Sequence, residues 1–303
     1  MNRRLFIKIL FYSLFSSFFS FSKELKKNRI FLKKIPSSGE FISSIGMGTW
    51  LTFDIGYNTK KLKQRSEVLK VFFNSGGQVI DSSPMYGTSE KVIGKSLRLL
   101  ENSNNFFAAT KIWTPNTWHG KKQIENSKSY WGVKEFKLLQ VHNLVNYEGH
   151  LETLYDLKNN GIIKYIGVTT SHGLRHKKLK DIMNNHELDF VQLTYNIIDN
   201  EASNYLLPLA EEKGIAVIAN RPFQGGKLFN IVNDKKIPTY AIDIGIRNWA
   251  EYFLKFITSH KTITCTIPAT SKINHMQENM QALHGHIPTS KQRKKLYKLF
   301  INL

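Results

Sequence analysis

The chain reads as an α/β protein, a (β/α)8 TIM barrel in a single domain that follows an N-terminal targeting segment. Three observations predict it. Eight short, apolar, β-rich runs recur between residues 45 and 269. Segments with helical spacing separate them, which calls for parallel strands joined by crossover helices. Three of the runs deliver ionisable side chains at their C-terminal ends, where the strands of a barrel open onto a shared pocket. A doubly wound open sheet is the alternative. It asks for a Gly-rich fingerprint after the first strand, and Gly46-Met47-Gly48-Thr49-Trp50-Leu51 has two glycines but lacks the third and has no immediate helix.

The elements follow in order. Residues 1–22 read as a signal or signal-anchor segment: Arg3-Arg4 with Phe6-Ile7-Lys8, then an apolar stretch, Ile9 to Phe21, too short and too interrupted by serine for a comfortable membrane span. The paired arginines resemble the twin-arginine export signal of bacteria, which accompanies proteins that fold before crossing the membrane. The twin-arginine machinery is then an expected partner and the periplasm or exterior the expected location. An uncleaved leader holding the protein at the membrane is the alternative. Residues 23–40 are expected to be a basic linker, 41–287 the barrel, and 288–303 a basic C-terminal helix or tail.

Within the barrel the expected strands are Ile45–Trp50, Val79–Ser83, Phe106–Ile112, Lys137–Asn143, Tyr165–Thr169, Phe190–Asn196, Ala216–Arg221 and Ile263–Ala269. Their continuous apolar character suits a sheet covered on both faces. Helical spacing marks Ser66–Phe73, Ser89–Leu100, His150–Leu157 and Ala202–Lys213. Asn160-Gly161 and Lys213-Gly214 place glycine where helices commonly stop.

Composition narrows the function. Apolar and charged fractions of 41% and 22% are those of a globular protein. The single cysteine, Cys265, excludes an internal disulfide framework and a Cys-rich metal site, and no metal is expected. The formal charge of +20 raises nucleic acid as a partner. However, nine Lys and Arg fall within residues 1–40 and five more within 291–298, with no zinc finger, RNP motif or recognition helix. No specific nucleic-acid binding is expected; general lysine usage and contact with anionic surfaces, a membrane surface among them, account for the charge better.

The candidate site rests on four side chains. Val79-Ile80 runs into Asp81, and Tyr86 follows five residues later. Phe107–Thr110 ends on Lys111, and Leu138–Val141 ends on His142. Singly, each has a bland explanation, such as a helix cap, a core aromatic or a structural histidine. A lysine at a strand mouth needs a counter-charge, and Asp81 can supply it.

Together these segments resemble the aldo-keto reductase family. Val79–Glu90 is similar to its Asp-x-Ala/Ser-x-x-Tyr-Gly-x-Ser-Glu signature, and Ala109–Lys111 and Leu139–Asn143 to its Lys and His segments. The likeness extends through Gly161–Val168 and Glu278-Asn279, and covers roughly residues 41–285. It implies hydride reduction of a small-molecule aldehyde or ketone, with Tyr86 as acid, Lys111 and Asp81 tuning it, and His142 orienting the carbonyl. The cofactor implied is NADP(H), with NAD(H) not excluded.

Cofactor contacts are implied at Thr49, Thr169, Gln192, Phe223 and Gly225, and at Thr270, His275, Glu278 and Asn279. Trp50, Trp113 and Trp118 follow strands one and three, where loops line a substrate pocket. The family's pattern is departed from at Thr170, where an amide is usual. It is departed from at Asn220, where an aromatic ring usually stacks on the nicotinamide. At Ala269 and His275 the family often has lysine and arginine. These changes motivate a second expectation, a catalytically weak nucleotide-binding sensor or scaffold on the same barrel. The oligomeric state is not legible.

Overall fold

The computed structural model describes residues 30–100 and 106–303. The expected signal segment and the first part of the linker lie outside the described residues. A hairpin comes first, β1 (Leu32–Lys34) antiparallel to β2 (Phe41–Ser43). Then eight parallel strands pair in chain order: β3 (Met47–Gly48), β4 (Val79–Asp81), β5 (Phe107–Ile112), β6 (Leu138–Val141), β7 (Tyr165–Thr169), β8 (Phe190–Thr194), β9 (Ala216–Asn220) and β10 (Ile263–Thr266). Parallel bridges join Ile45 to Thr266 and Gly48 to Ala269. Gly46 N donates to Thr266 O at 2.8 Å and Gly48 N to Pro268 O at 3.0 Å, so the last strand meets the first and the ring is a barrel, not an open sheet.

The two glycines of Gly46-Met47-Gly48 serve this seam. A Cβ on Gly46 would lie 3.0 Å from Cys265 Sγ of β10 and 2.9 Å from Val79 O of β4, and one on Gly48 2.8 Å from Ile267 O. Only a residue without a side chain lets the backbones close to hydrogen-bonding distance.

The helices surround the ring: α1 (Thr59–Asn74), α2 (Ser89–Leu97), α3 (Thr117–Trp131), α4 (Tyr147–Asn159), α5 (His176–Asn185), α6 (Leu206–Lys213), α7 (Lys227–Ile231), α8 (Thr239–Asp243), α9 (Trp249–Thr258), α10 (Ile273–Gln281) and α11 (Ser290–Ile301). Asn58 and Asn248 cap α1 and α9 through their side chains. Gly214 ends α6 in the left-handed conformation, as its sequence position predicts. The helix expected over Ala202–Lys213 divides into a 3-10 turn, Glu201–Asn204, and α6, because Tyr205 (φ −150°) breaks the helical path between them. Among the described residues no helix is long and apolar enough to cross a membrane.

Strand side chains alternate between the barrel interior and the helix layer. Val79, Phe107, Leu138, Tyr165, Phe190 and Ala216, each the first residue of its strand, share one buried cluster with Ile35 and Ile42 of the hairpin. Ile80, Ala108, Leu139, Ile166 and Val191, one residue on, belong to the other cluster, with the helices. The hairpin therefore plugs the N-terminal end of the barrel. Tyr165 Oη bonds Glu40 Oε2 and Ser38 Oγ, both at 2.6 Å, and holds the plug in place. The linker expected over 23–40 is corrected here: from residue 30 the chain is part of the fold, because Ile35 has no other place to hide its apolar surface. The C-terminal segment is likewise a packed helix. Leu296 and Phe300 are buried, and Tyr252 Oη donates to Leu296 O at 2.6 Å.

Gly48→Ala is expected to pry β3 from β10 and lower stability by about 1–3 kcal/mol. The urea midpoint measures it; an unchanged midpoint would mean the seam tolerates a methyl group and is not closely packed.

Candidate active site

The alternation that puts Val79, Phe107 and Leu138 inside the barrel also puts Asp81, Lys111, Gln140 and His142 inside, one or two steps nearer the C-terminal end. Their spacing is even in every case, so parity alone brings them together. Lys111 Nζ lies 2.5 Å from Asp81 Oδ2 and also donates to Ser82 O at 2.8 Å. Gln140 Nε2 donates to Asp81 Oδ1 at 3.1 Å. Both charges are almost wholly shielded from solvent. Thr49 Oγ1 bonds Asp81 O and Ser82 Oγ at 3.0 and 2.9 Å, tying the end of β3 to that of β4.

Tyr86 reaches this cluster from the turn after β4. Gly87, at φ 59°, makes the turn, and a Cβ there would collide with the Asp54 carboxylate at 2.4 Å. Asp54 Oδ1 in turn accepts from Thr88 N and Thr88 Oγ1 at 2.9 and 2.7 Å, fixing the loop from outside. Lys111 Nζ sits 5.3 Å from the centre of the Tyr86 ring, and the Tyr86 and His142 rings meet edge to face at 5.7 Å. Ser83 Oγ shares a 2.8 Å hydrogen bond with His142 Nδ1. The other ring nitrogen, Nε2, is left for the cavity. Behind the site Glu90 accepts from Thr110, Ser127 and Trp131, locking α2, β5 and α3 together.

Electrostatics assign protonation states. Burial opposes the charge on Lys111, but Asp81 and Tyr86 more than reverse this and hold its pKa above the usual lysine value. Burial raises the Tyr86 phenol, while the Lys111 charge pulls it back down. Tyr86 therefore carries its proton at neutral pH, beside a cation that favours losing it. Burial, helped by Lys111, pushes His142 down to about 2, so its ring is neutral.

Tyr86 and His142 line a cavity of about 890 Å³. Thr49, Thr169, Gln192, Phe223, Gly225, Thr270, His275, Glu278 and Asn279 line it too, so every residue expected to touch a cofactor faces the same space. Among the polar atoms of lining residues that are buried without a hydrogen-bond partner are Gln192 Nε2, Asn143 Oδ1 and Thr170 Oγ1. A donor, an acceptor and a hydroxyl are what a carboxamide needs, and unpaired buried groups of this kind await a ligand. The residues present thus fit the polar end of a nicotinamide.

Of the three expected pocket tryptophans only Trp50 lines the cavity. Trp113 and Trp118 do not. Gln123 bonds the backbone N and O of Trp113, and Trp118 is 68% exposed on the first turn of α3, stacked on His119. Gln140, Ser83, Asn143 and Arg221 were not singled out as site residues. Parity is the signal that finds Gln140 and Ser83, each two residues from His142 or Asp81.

His142 gives a stability test. Below its unfolded value of about 6.5 the unfolded chain takes up a proton that the folded chain refuses, so stability falls as pH drops. Between about pH 6.5 and 5 the protein should lose on the order of 1–2 kcal/mol more than His142→Gln does. Equal losses in the two urea titrations would contradict a buried neutral imidazole.

Comparison with known proteins agrees with this geometry. The sequence pattern of the Aldo/keto reductase family matches residues 44–295. "Uncharacterized oxidoreductase YqkF" of Bacillus subtilis (strain 168) is 22% identical, over 87% of this chain and 94% of its own length. The "NADH-specific methylglyoxal reductase" of Escherichia coli (strain K12) is 24% identical, over 90% and 95%. In three dimensions the chain is similar to an aldo/keto reductase from Klebsiella pneumoniae in complex with NADP and acetate, with a TM-score of 0.72 and 20% identity, over 88% and 95% of the two chains. With the family pattern spanning most of its length, a closed parallel barrel and an Asp81–Lys111 pair beside Tyr86, the chain belongs to the Aldo/keto reductase family.

Proposed function

We propose that this NAD(P)H-dependent oxidoreductase reduces a small aldehyde or ketone to the alcohol, with Tyr86 as the proton donor. The observation that carries it is the buried Lys111–Asp81 pair next to the Tyr86 ring, at the wall of a cavity with unpaired polar atoms. When bound, the reduced nicotinamide supplies the hydride, which no side chain can do. Gln192, Asn143 and Thr170 would hold its carboxamide, and Phe223 and Gly225 the segment over the pyrophosphate. Thr270, His275, Glu278 and Asn279 would hold the adenosine end. NADPH is the first expectation, since the Klebsiella protein holds NADP; the Escherichia coli relative, named for NADH, keeps NADH as the second.

The chain's own residues manage the proton. As charge grows on the carbonyl oxygen, Tyr86 Oη gives it a proton and becomes a phenolate. The fixed ammonium of Lys111 stabilises that phenolate without having to move. Asp81 and Gln140 keep Lys111 in place. The neutral His142 presents Nε2 toward the substrate oxygen and orients it.

Turnover of an aldehyde panel with NADPH and NADH tests this. Tyr86→Phe should lower kcat by about 10²–10⁴-fold while leaving the dinucleotide Kd, read by tryptophan fluorescence, unchanged. Dinucleotide binding by the wild type with no turnover of any carbonyl would replace the enzyme by a sensor.

The leader supports a proposed location outside the cytoplasm, reached after folding. Replacing both Arg3 and Arg4 by lysine should keep the protein in the cytoplasmic fraction. Identical fractionation of the two forms would remove the twin-arginine machinery as a partner, and recovery with membranes would favour the uncleaved anchor.

A further inference from the structure

The loops after β7 and β9 bring His172, Arg175 and Arg221 to the cavity lining. All three have backbones in the left-handed region, at φ 63°, 62° and 52°. For residues with a Cβ that conformation is unfavourable and persists only where the surroundings impose it. Here they do. His172 N donates to Thr194 Oγ1 at 2.9 Å, and that hydroxyl donates to Asn220 Oδ1 at 2.7 Å. Asn220 Nδ2 reaches back to Thr170 O at 2.8 Å, and Asn196 Nδ2 fixes the Arg221 carbonyl at 3.1 Å. The ends of β7, β8 and β9 are thus stitched into a rim that carries Arg221.

Arg221 has few partners there. It is half-buried, its Nε is buried without a hydrogen bond, and its guanidinium makes one long bond, 3.4 Å to Gln224 Oε1. Asp199, the acid whose charge it feels, has an oxygen taken by Gln224 Nε2 at 3.2 Å. Gln224 therefore stands between the two as a polar bridge, where a direct ion pair would have filled the guanidinium. Burial works against the Arg221 charge and Asp199 only partly opposes it, yet an arginine stays ionised in proteins. A shielded cation with free N–H groups on a cavity wall is completed by an anion arriving through that cavity.

We propose that Arg221, with Arg175 on the same lining, forms an anion subsite that receives a carboxylate or phosphate group of the cavity's ligand. This rests on the oxidoreductase reading and deepens it. Two sources share the chemistry: an acid group on the carbonyl substrate, and the pyrophosphate of the dinucleotide. The planar fork of the guanidinium matches either one by two parallel hydrogen bonds.

The test uses the full chain as wild type, Arg221→Gln and Arg221→Lys. Fluorescence titration gives Kd for NADPH and NADH; kinetics at saturating dinucleotide give KM for 4-carboxybenzaldehyde and for uncharged benzaldehyde. A pyrophosphate role predicts that Arg221→Gln weakens both dinucleotides about 10–100-fold and spares both aldehydes. A substrate role predicts a KM rise of similar size for 4-carboxybenzaldehyde alone. In either case Arg221→Lys recovers part of the loss. If Arg221→Gln leaves both Kd values and the KM ratio of the two aldehydes as in the wild type, the subsite does not exist. Should that variant fail to fold, the wild type decides. Benzoate or inorganic pyrophosphate must bind, by calorimetry, more tightly than benzyl alcohol, and no difference overturns the proposal. A wild type that turns over neither aldehyde sinks the oxidoreductase reading, while the Kd comparison still judges Arg221.

Discussion

Two opposite charges 2.5 Å apart, with almost no solvent around them, constrain the C-terminal half of this barrel. Removing an ammonium and a carboxylate from water costs several kcal/mol for each ion, and their attraction recovers it only if the remaining donors and lone pairs are also satisfied. That requirement accounts for the neighbours. Ser82 O takes a second Lys111 proton, and Gln140 fills the free oxygen of Asp81. Gln140 has no apolar substitute at its position, because the pair would then be left half-solvated by nothing. Burial depresses His142 and the Lys111 charge adds to this, while at Tyr86 the same charge works against the rise that burial causes. The pair thus acts on both rings on top of their burial, and it does so only while β4, β5 and β6 keep their register.

Register is why so much was legible from the sequence. Asp81 against Ala109, and Lys111 against Gln140, are fixed by parallel pairing between runs whose apolar residues must alternate between two cores. A slip of one residue would turn Asp81 and Lys111 into the helix layer and Ile80 into the cavity. The eight strands and the positions of Asp81, Lys111 and His142 could therefore be found together: the hydrophobic pattern that identifies each strand also aims the side chain at its end, whereas Tyr86 comes from the turn after β4.

What was not legible depends on contacts between segments far apart in sequence. Gly46 and Gly48 looked like a failed nucleotide fingerprint, and their use emerges only when β10 arrives alongside. The hairpin looked like a basic linker because Lys33, Lys34 and the run before them dominate its composition, while two buried isoleucines decide its place. Trp113 followed the right strand, yet Gln123, on the next helix, governs its backbone. Asn220 registered as the loss of a ring; in the fold it is the stitch between the ends of β7 and β8. Loop side chains answer to such partners, and periodicity does not reach them.

Charge, finally, separates into two scales. The chain carries a formal +20, a field that concentrates anions near the whole surface but selects none. Among the described residues, the only Lys or Arg side chains along the cavity lining are Arg175 and Arg221, and the only Asp or Glu is Glu278. The cations sit on the loops after β7 and β9, and the carboxylate on α10. An elongated polyanion in this cavity is therefore favoured with its acidic groups toward the arginines. At the α10 end the lining offers Glu278, His275 and Thr270 and, among the described residues, no guanidinium or ammonium. A hydroxyl there can accept or donate, whereas a phosphate needs donors and positive charge. Charge along the lining is thus polarised, with its guanidinium groups after β7 and β9 and its carboxylate on α10.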